Sequence, residues 1–153
     1  MILLVLGTAE HTFDRAVERV LPVTLDDDLV VQHGFTRPRN SVERVTWIPF
    51  APYDRVLELC SAASAVICHA GVGAIMTARS VGKTPLVMPR LARYGEAVDD
   101  HQLQIAEEFE RSGLVALLGD QEPLGAALGR ARMTHTVRGA DDSLRRAIAA
   151  AVG

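Results

Sequence analysis

The stretch from Cys68 to Arg90 constrains the fold more than any other part of the chain. The apolar run Ala65 to Cys68, with β-branched Val66 and Ile67, reads as a buried strand. It ends at His69, and Gly71 and Gly73 follow at once. A short helical run comes next. Gly82 stops it, and Pro85 to Pro89 reads as a second buried strand. Strand, glycine loop, helix, strand is the repeating unit of an open parallel sheet. The glycines leave backbone N–H groups open at the start of a helix, where partial positive charge gathers, so this loop suits an anionic ligand such as a phosphate.

The same design recurs along the chain. Ile2 to Leu6 is a continuous apolar run broken by Gly7-Thr8. Phe13, Ala16, Val17, Val20 and Leu21 then share one helical face, with Thr12 as the expected cap and Pro22 as the stop. Leu29 to Gln32 is a strand ended by His33-Gly34. Val45 to Phe50 is another, and its Trp47 reads as core. Pro52 opens a helix whose Tyr53, Val56, Leu57 and Cys60 share a face. Asp99 and Asp100 are expected in the first turn of a later helix, with Gln102, Ile105, Ala106 and Phe109 along one side and Gln102 turned toward a cleft mouth. Leu114 to Leu118 is a further strand, Pro123 starts a helix, and Leu144, Ala147, Ile148, Ala151 and Val152 give a last amphipathic helix. Strands are thus expected at about 2–6, 29–33, 45–49, 65–69, 85–89 and 114–118. The expected order is 3-2-1-4-5-6. Ligands bind such sheets beyond the carboxyl ends of the strands, at the switch between the first and fourth. The loops at Gly7 and at His69 to Gly73 border that point.

Totals narrow the function. The 153 residues are read as one domain, 1–153, and 48% apolar residues supply its core. A net charge of −3 with mixed signs argues against nucleic acid as a partner. No apolar run approaches the roughly 20 residues that span a bilayer, and Met1 to Leu6 reads as a strand rather than a leader. Cys60 and Cys68 show no metal or redox spacing and suit a reducing, cytoplasmic setting. Asp26-Asp27-Asp28 is read as a solvated turn, and no metal or cofactor is expected.

Gly71-Val72-Gly73 falls short of a dinucleotide fingerprint. Met76 stands where the third glycine belongs, and Pro89-Arg90 where an acid would hold the ribose. Arg90 would suit a 2′-phosphate, which keeps an NADP-dependent oxidoreductase domain open. Gly82-Lys83-Thr84 follows a helix and is a stop, not a phosphate loop. Among His11, His33, His69, His101 and His135, His69 and His101 lie on loops at the ligand end of the sheet. No hydrolase-type nucleophile and base can be paired.

The run His69-Ala70-Gly71-Val72-Gly73-Ala74-Ile75-Met76, then Gly82-Lys83-Thr84-Pro85, Pro89-Arg90 and Asp99-Asp100-His101-Gln102, resembles the carboxyl-terminal domain of glycosyltransferase family 28. The likeness covers most of residues 1–118 and is nearest to the small donor subunits of bipartite transferases of the dolichol-linked GlcNAc and bacterial exopolysaccharide types. It implies a Rossmann-like open parallel sheet with helices on both faces, one half of a GT-B architecture. It implies that Gly7 and Thr8, with His69, Ala70, Gly71, Val72 and Gly73, face the diphosphate of a UDP-sugar. By the same resemblance Asp100, His101 and Gln102 meet the donor sugar, and Arg90 joins the substrate-binding set. Thr77 stands where many relatives carry a ribose-binding Glu. The implied activity is inverting sugar transfer to a lipid-linked acceptor presented by a membrane-associated partner subunit, with the terminal helix, Leu144 to Val152, either the candidate docking element or a cover for this domain's own sheet. The catalytic base is not identified, and His11 on the first loop is a weak candidate. A non-catalytic regulatory subunit with the same fold is the remaining alternative.

Overall fold

A computed structural model describes residues 1–23, 26–40 and 42–133. The strands are β1 (Ile2–Val5), β2 (Leu29–Gln32), β3 (Val45–Ile48), β4 (Ala65–Cys68), β5 (Leu86–Val87) and β6 (Ala116–Leu117). They form one sheet in the order β3-β2-β1-β4-β5-β6, every neighbouring pair parallel. The helices are α1 (Asp14–Val20), α2 (Tyr53–Ala62), α3 (Val72–Ser80), α4 (His101–Arg111) and α5 (Leu124–Met133). The expected order and the switch between β1 and β4 are both realised.

Alternation within β1 shows how the layers form. Ile2, Leu4 and Leu6 enter one core with Phe13, Val17 and Val20 of the α1 region. Leu3 and Val5 enter the other, with Ile75 of α3 and Ile105 and Phe109 of α4. A strand covered on both faces has no polar side, which is why Ile2 to Leu6 is apolar throughout. The edge strand β3 is only half-buried, and Trp47 sits there with its ring edge-on to His33 at 6.1 Å.

Several local expectations are corrected. β5 and β6 are two residues each, shorter than 85–89 and 114–118. Pro85 and Pro89 have no N–H to donate. Pairing still extends past the ladder, because Met88 N donates to Cys68 O and Leu118 N to Val87 O. Thr12 does not cap α1. The amide of Phe13 donates instead to Thr36 Oγ1 at 2.9 Å, a partner from the loop after β2. Asp99 and Asp100 precede α4 rather than occupying its first turn. Asp99 Oδ1 accepts from His101 N at 3.0 Å, and Asp100 Oδ1 accepts from Ala92 N at 2.9 Å. Tyr53 is exposed, so the buried side of α2 is carried by Leu59 and Cys60. His135 and the helix expected over Leu144 to Val152 lie outside the described residues. Among the described residues no helix is long and apolar enough to cross a membrane.

Candidate functional site

The loop after β1 turns at Gly7, whose φ of +81° is a conformation L side chains rarely adopt. Gln32, the last residue of β2 and only 4% exposed, pins it. Its Oε1 accepts from Gly7 N at 3.0 Å, and its Nε2 donates to Gly7 O at 3.1 Å and to Pro49 O at 2.9 Å. A Cβ on Gly34 would collide with Gly7 O, so that glycine lets the two loops close up.

The loop after β4 carries His69 under this turn. A Cβ on Gly7 would sit 2.5 Å from His69 Nε2, and one on Gly71 would collide with the same ring. The two glycines therefore make the slot that the imidazole fills. Gln102, in the first turn of α4, braces the loop from behind: its Oε1 accepts from Ala70 N at 3.2 Å and Arg90 N at 3.1 Å, and its Nε2 lies 3.4 Å from His69 Nδ1. Burial, and then the charge of Arg90, pushes the His69 pKa down from 6.5 to about 4, against a smaller opposing pull from Gln102. The ring is neutral at pH 7.

Val72 and Gly73 open α3. The bond from Ile75 N to Gly71 O, 3.1 Å, is the first the helix makes, so the amides ahead of it have no intrahelical partner. Gly73 is exposed and has ordinary backbone angles, and a Cβ there would meet nothing within 4 Å. Thr77, one turn on, donates its hydroxyl to Gly73 O at 2.8 Å.

These elements enclose an open cleft of about 510 Å³. Gly7, Thr8, His69, Gly71, Gly73 and Thr77 line it, and Ala51, Tyr53 and Val56 add an apolar wall. Ala70 lies buried behind that lining. Other candidates are placed elsewhere. Arg90 is corrected from a ligand-facing residue to an internal brace. It is 2% exposed and donates to Leu6 O and His11 O, both at 2.7 Å, and to Glu96 O at 3.2 Å, with its guanidinium 4.9 Å over the Phe13 ring. Asp100 lines a separate cavity of about 290 Å³ beside Arg15, Leu91 and Leu103. His101 is exposed at the start of α4, and His11 is exposed on the first loop with its carbonyl held by Arg90.

Sequence reasoning missed Gln32, Glu96 and the apolar wall. Gln32 had a signal, since it is the one polar residue of Leu29-Val30-Val31-Gln32 and stands at the ligand end of a buried strand. Glu96 had none. It is 3% exposed, grips Arg15 through both oxygens at 2.8 Å, and accepts from Leu91 N at 3.0 Å. Among the described residues no group of three or more His, Cys, Asp or Glu is placed to hold a metal ion.

Residues 1–128 match the model of the glycosyltransferase family 28 C-terminal domain. The chain belongs to that family. It is 37% identical over 95 residues to the UDP-N-acetylglucosamine transferase subunit ALG13 of Yarrowia lipolytica, covering 61% of this chain and 45% of that one. It is 32% identical over 65 residues to the UDP-N-acetylglucosamine--N-acetylmuramyl-(pentapeptide) pyrophosphoryl-undecaprenol N-acetylglucosamine transferase of Solibacter usitatus, covering 42% of this chain and 17% of that one. The aligned parts are thus less than half of either relative. A solved glycotransferase of kitacinnamycin shares the fold with a TM-score of 0.62 at 18% identity, over 99% of this chain and 40% of that one. The family 28 domain is a Rossmann-like α/β half of a GT-B architecture.

Proposed function

We propose that the chain, read as one nucleotide-sugar-binding domain over 1–153, is the donor-binding part of an inverting glycosyltransferase. The cleft holds a UDP-sugar. The observation that carries this reading is the convergence of two glycine loops on one open cleft, with unpaired α3 amides and empty space at Gly73. As the bond from the sugar to the diphosphate breaks, negative charge gathers on the leaving UDP. The α3 N-terminus and its amides stabilise that charge by direct donation and by the helix dipole. The nucleoside lies on the apolar wall of Ala51, Tyr53 and Val56. Thr77 has its proton engaged by Gly73 O, so toward a ribose hydroxyl it acts as an acceptor only. Asp100 and exposed His101 lie outside the cleft lining, and Gln102 is engaged by backbone amides, so the α3 amides and His69 carry the donor contacts in this reading.

Calorimetric titration with UDP, UDP-sugars and NADP, with and without EDTA, tests the reading. UDP and its sugars bind in either condition and NADP does not. Binding of NADP without UDP would overturn it, and the burial of Arg90 removes the residue on which the NADP alternative rested.

The relative named as a transferase subunit supports a two-component enzyme. In this reading a separate acceptor-binding subunit, held at the cytoplasmic face of the membrane, presents a lipid-linked sugar in polysaccharide synthesis. Apart from His69, the cleft lining identified above carries no base, so deprotonation of the acceptor falls to exposed His11 or to the partner. Co-expression with a membrane-bound acceptor subunit, followed by pull-down and a transfer assay, gives activity only for the pair. Full transfer by this chain alone would sink the two-subunit reading.

A further inference from the structure

We propose that Gln102 is a positioning residue that fixes the tautomer of His69, so that a neutral N–H donor faces the cleft. The inference rests on the reading of that cleft as the diphosphate site. The Gln102 carboxamide has one orientation available to it. Its Oε1 faces two backbone donors, Ala70 N and Arg90 N, and the flipped amide would set an NH₂ group against both. Its NH₂ group therefore faces His69 Nδ1. A ring nitrogen that accepts carries no proton, so in the neutral imidazole the proton is on Nε2. Nε2 is the ring atom set against Gly7, which lines the cleft together with His69, and no protein group among the described residues accepts from it. Arg90, the charged group that acts on the ring, disfavours a second proton.

The arrangement has a chemical consequence. A diphosphate oxygen only accepts, so the Nε2–H form binds it and the Nδ1–H form opposes it. Gln102 contributes to donor binding through His69, with no contact to the ligand needed.

The discriminating variant is Gln102→Glu. A carboxylate still accepts from Ala70 N and Arg90 N, so the loop keeps its brace, but its second oxygen accepts a hydrogen bond from Nδ1–H where the amide NH₂ donated one to a bare Nδ1. Histidine ¹⁵N NMR on the full chain reads which ring nitrogen is bare. Wild type shows a bare Nδ1, and Gln102→Glu shows a protonated Nδ1. At pH 8, UDP binds the variant about ten- to a hundred-fold more weakly, the range expected for losing one hydrogen bond to a charged group. That deficit relative to wild type shrinks as the pH is lowered and the variant's ring takes a second proton. Comparing the two proteins at each pH cancels the titration of UDP itself. In a His69→Ala background, Gln102→Glu costs UDP affinity little further.

Three results overturn the proposal: a bare Nε2 in the wild-type protein, an undiminished Gln102→Glu cost once His69 is gone, or a switched tautomer with unchanged UDP affinity. The first is read without any ligand, so it is independent of the cleft assignment. The last would leave that assignment to the Gly73→Val variant considered below.

Discussion

The loop after β1 and the loop after β4 both end a buried strand, both set a glycine against the His69 ring, and both are pinned by a glutamine, yet they offer the cleft different groups. In the first, Gln32 takes up both the N–H and the C=O of Gly7. Arg90 holds the carbonyls on either side of the turn, at Leu6 and His11. That loop is a closed rim. In the second, Gln102 takes Ala70 N and leaves the amides that open α3 without a helical partner. That loop is an open set of donors. Two glycine turns of like appearance therefore divide the work, one shaping the wall and the other meeting charge.

The sharpest way to break the comparison is to remove the brace of the closed rim. Arg90→Met leaves Leu6 O, His11 O and Glu96 O without their donor and unbalances Glu96, which should lower unfolding free energy in urea by about 3–5 kcal/mol. A loss under about 1 kcal/mol would show that the rim stands without Arg90. Next in size, Gly73→Val tests the open set. Nothing lies within 4 Å of the new Cβ, so the melting temperature should hold. UDP affinity should fall about a hundred-fold, because the side chain occupies the approach to the amides. A matching fall in melting temperature would mean that the position is structural.

His69→Ala comes third. It removes one neutral donor and should weaken UDP about ten-fold, a smaller effect than Gly73→Val if the amides are the main contact. An equal or larger loss would move the centre of the site from the α3 amides to the ring between the loops. Per pH unit, the smallest effect is the pH dependence of stability. His69 has a folded pKa depressed to about 4 from 6.5, so the unfolded chain binds its proton first on acidification. The stability is fully present above pH 6.5 and declines as the pH falls toward 4. The slope is at most about 1.4 kcal/mol per pH unit for one proton. Urea midpoints measured between pH 7 and 4.5 should show that slope in wild type and its reduction in His69→Ala, and identical curves would show that the ring is not buried as described.

Much of the site was legible because its signals are local. The glycine after β1 and the pair after β4 announce sharp turns, and apolar runs on either side announce strands. The order β3-β2-β1-β4-β5-β6 follows from alternating strands and helices with right-handed crossovers. Gly7, Thr8, His69, Gly71 and Gly73 were expected at the switch point, and they share one cleft with Thr77, which the family resemblance had pointed to.

Arg90 shows where such reading stops. A charged residue just past a strand, at the ligand end of a sheet, looks like an anion site, and nothing in its neighbours says otherwise. Its partners Leu6 O and His11 O are 84 and 79 residues away in sequence, and they turn it inward. Gln102 is similar. Its helical position was visible, but its partners at Ala70 and Arg90 come from two other loops. By itself the sequence determined the strands, their order and the glycine turns, because periodicity and backbone freedom act over a few residues. Only the tertiary structure decided which polar side chains meet the cleft and which hold it open. A buried donor goes to whichever carbonyl packing brings within about 3 Å, and the chain does not encode that neighbour nearby.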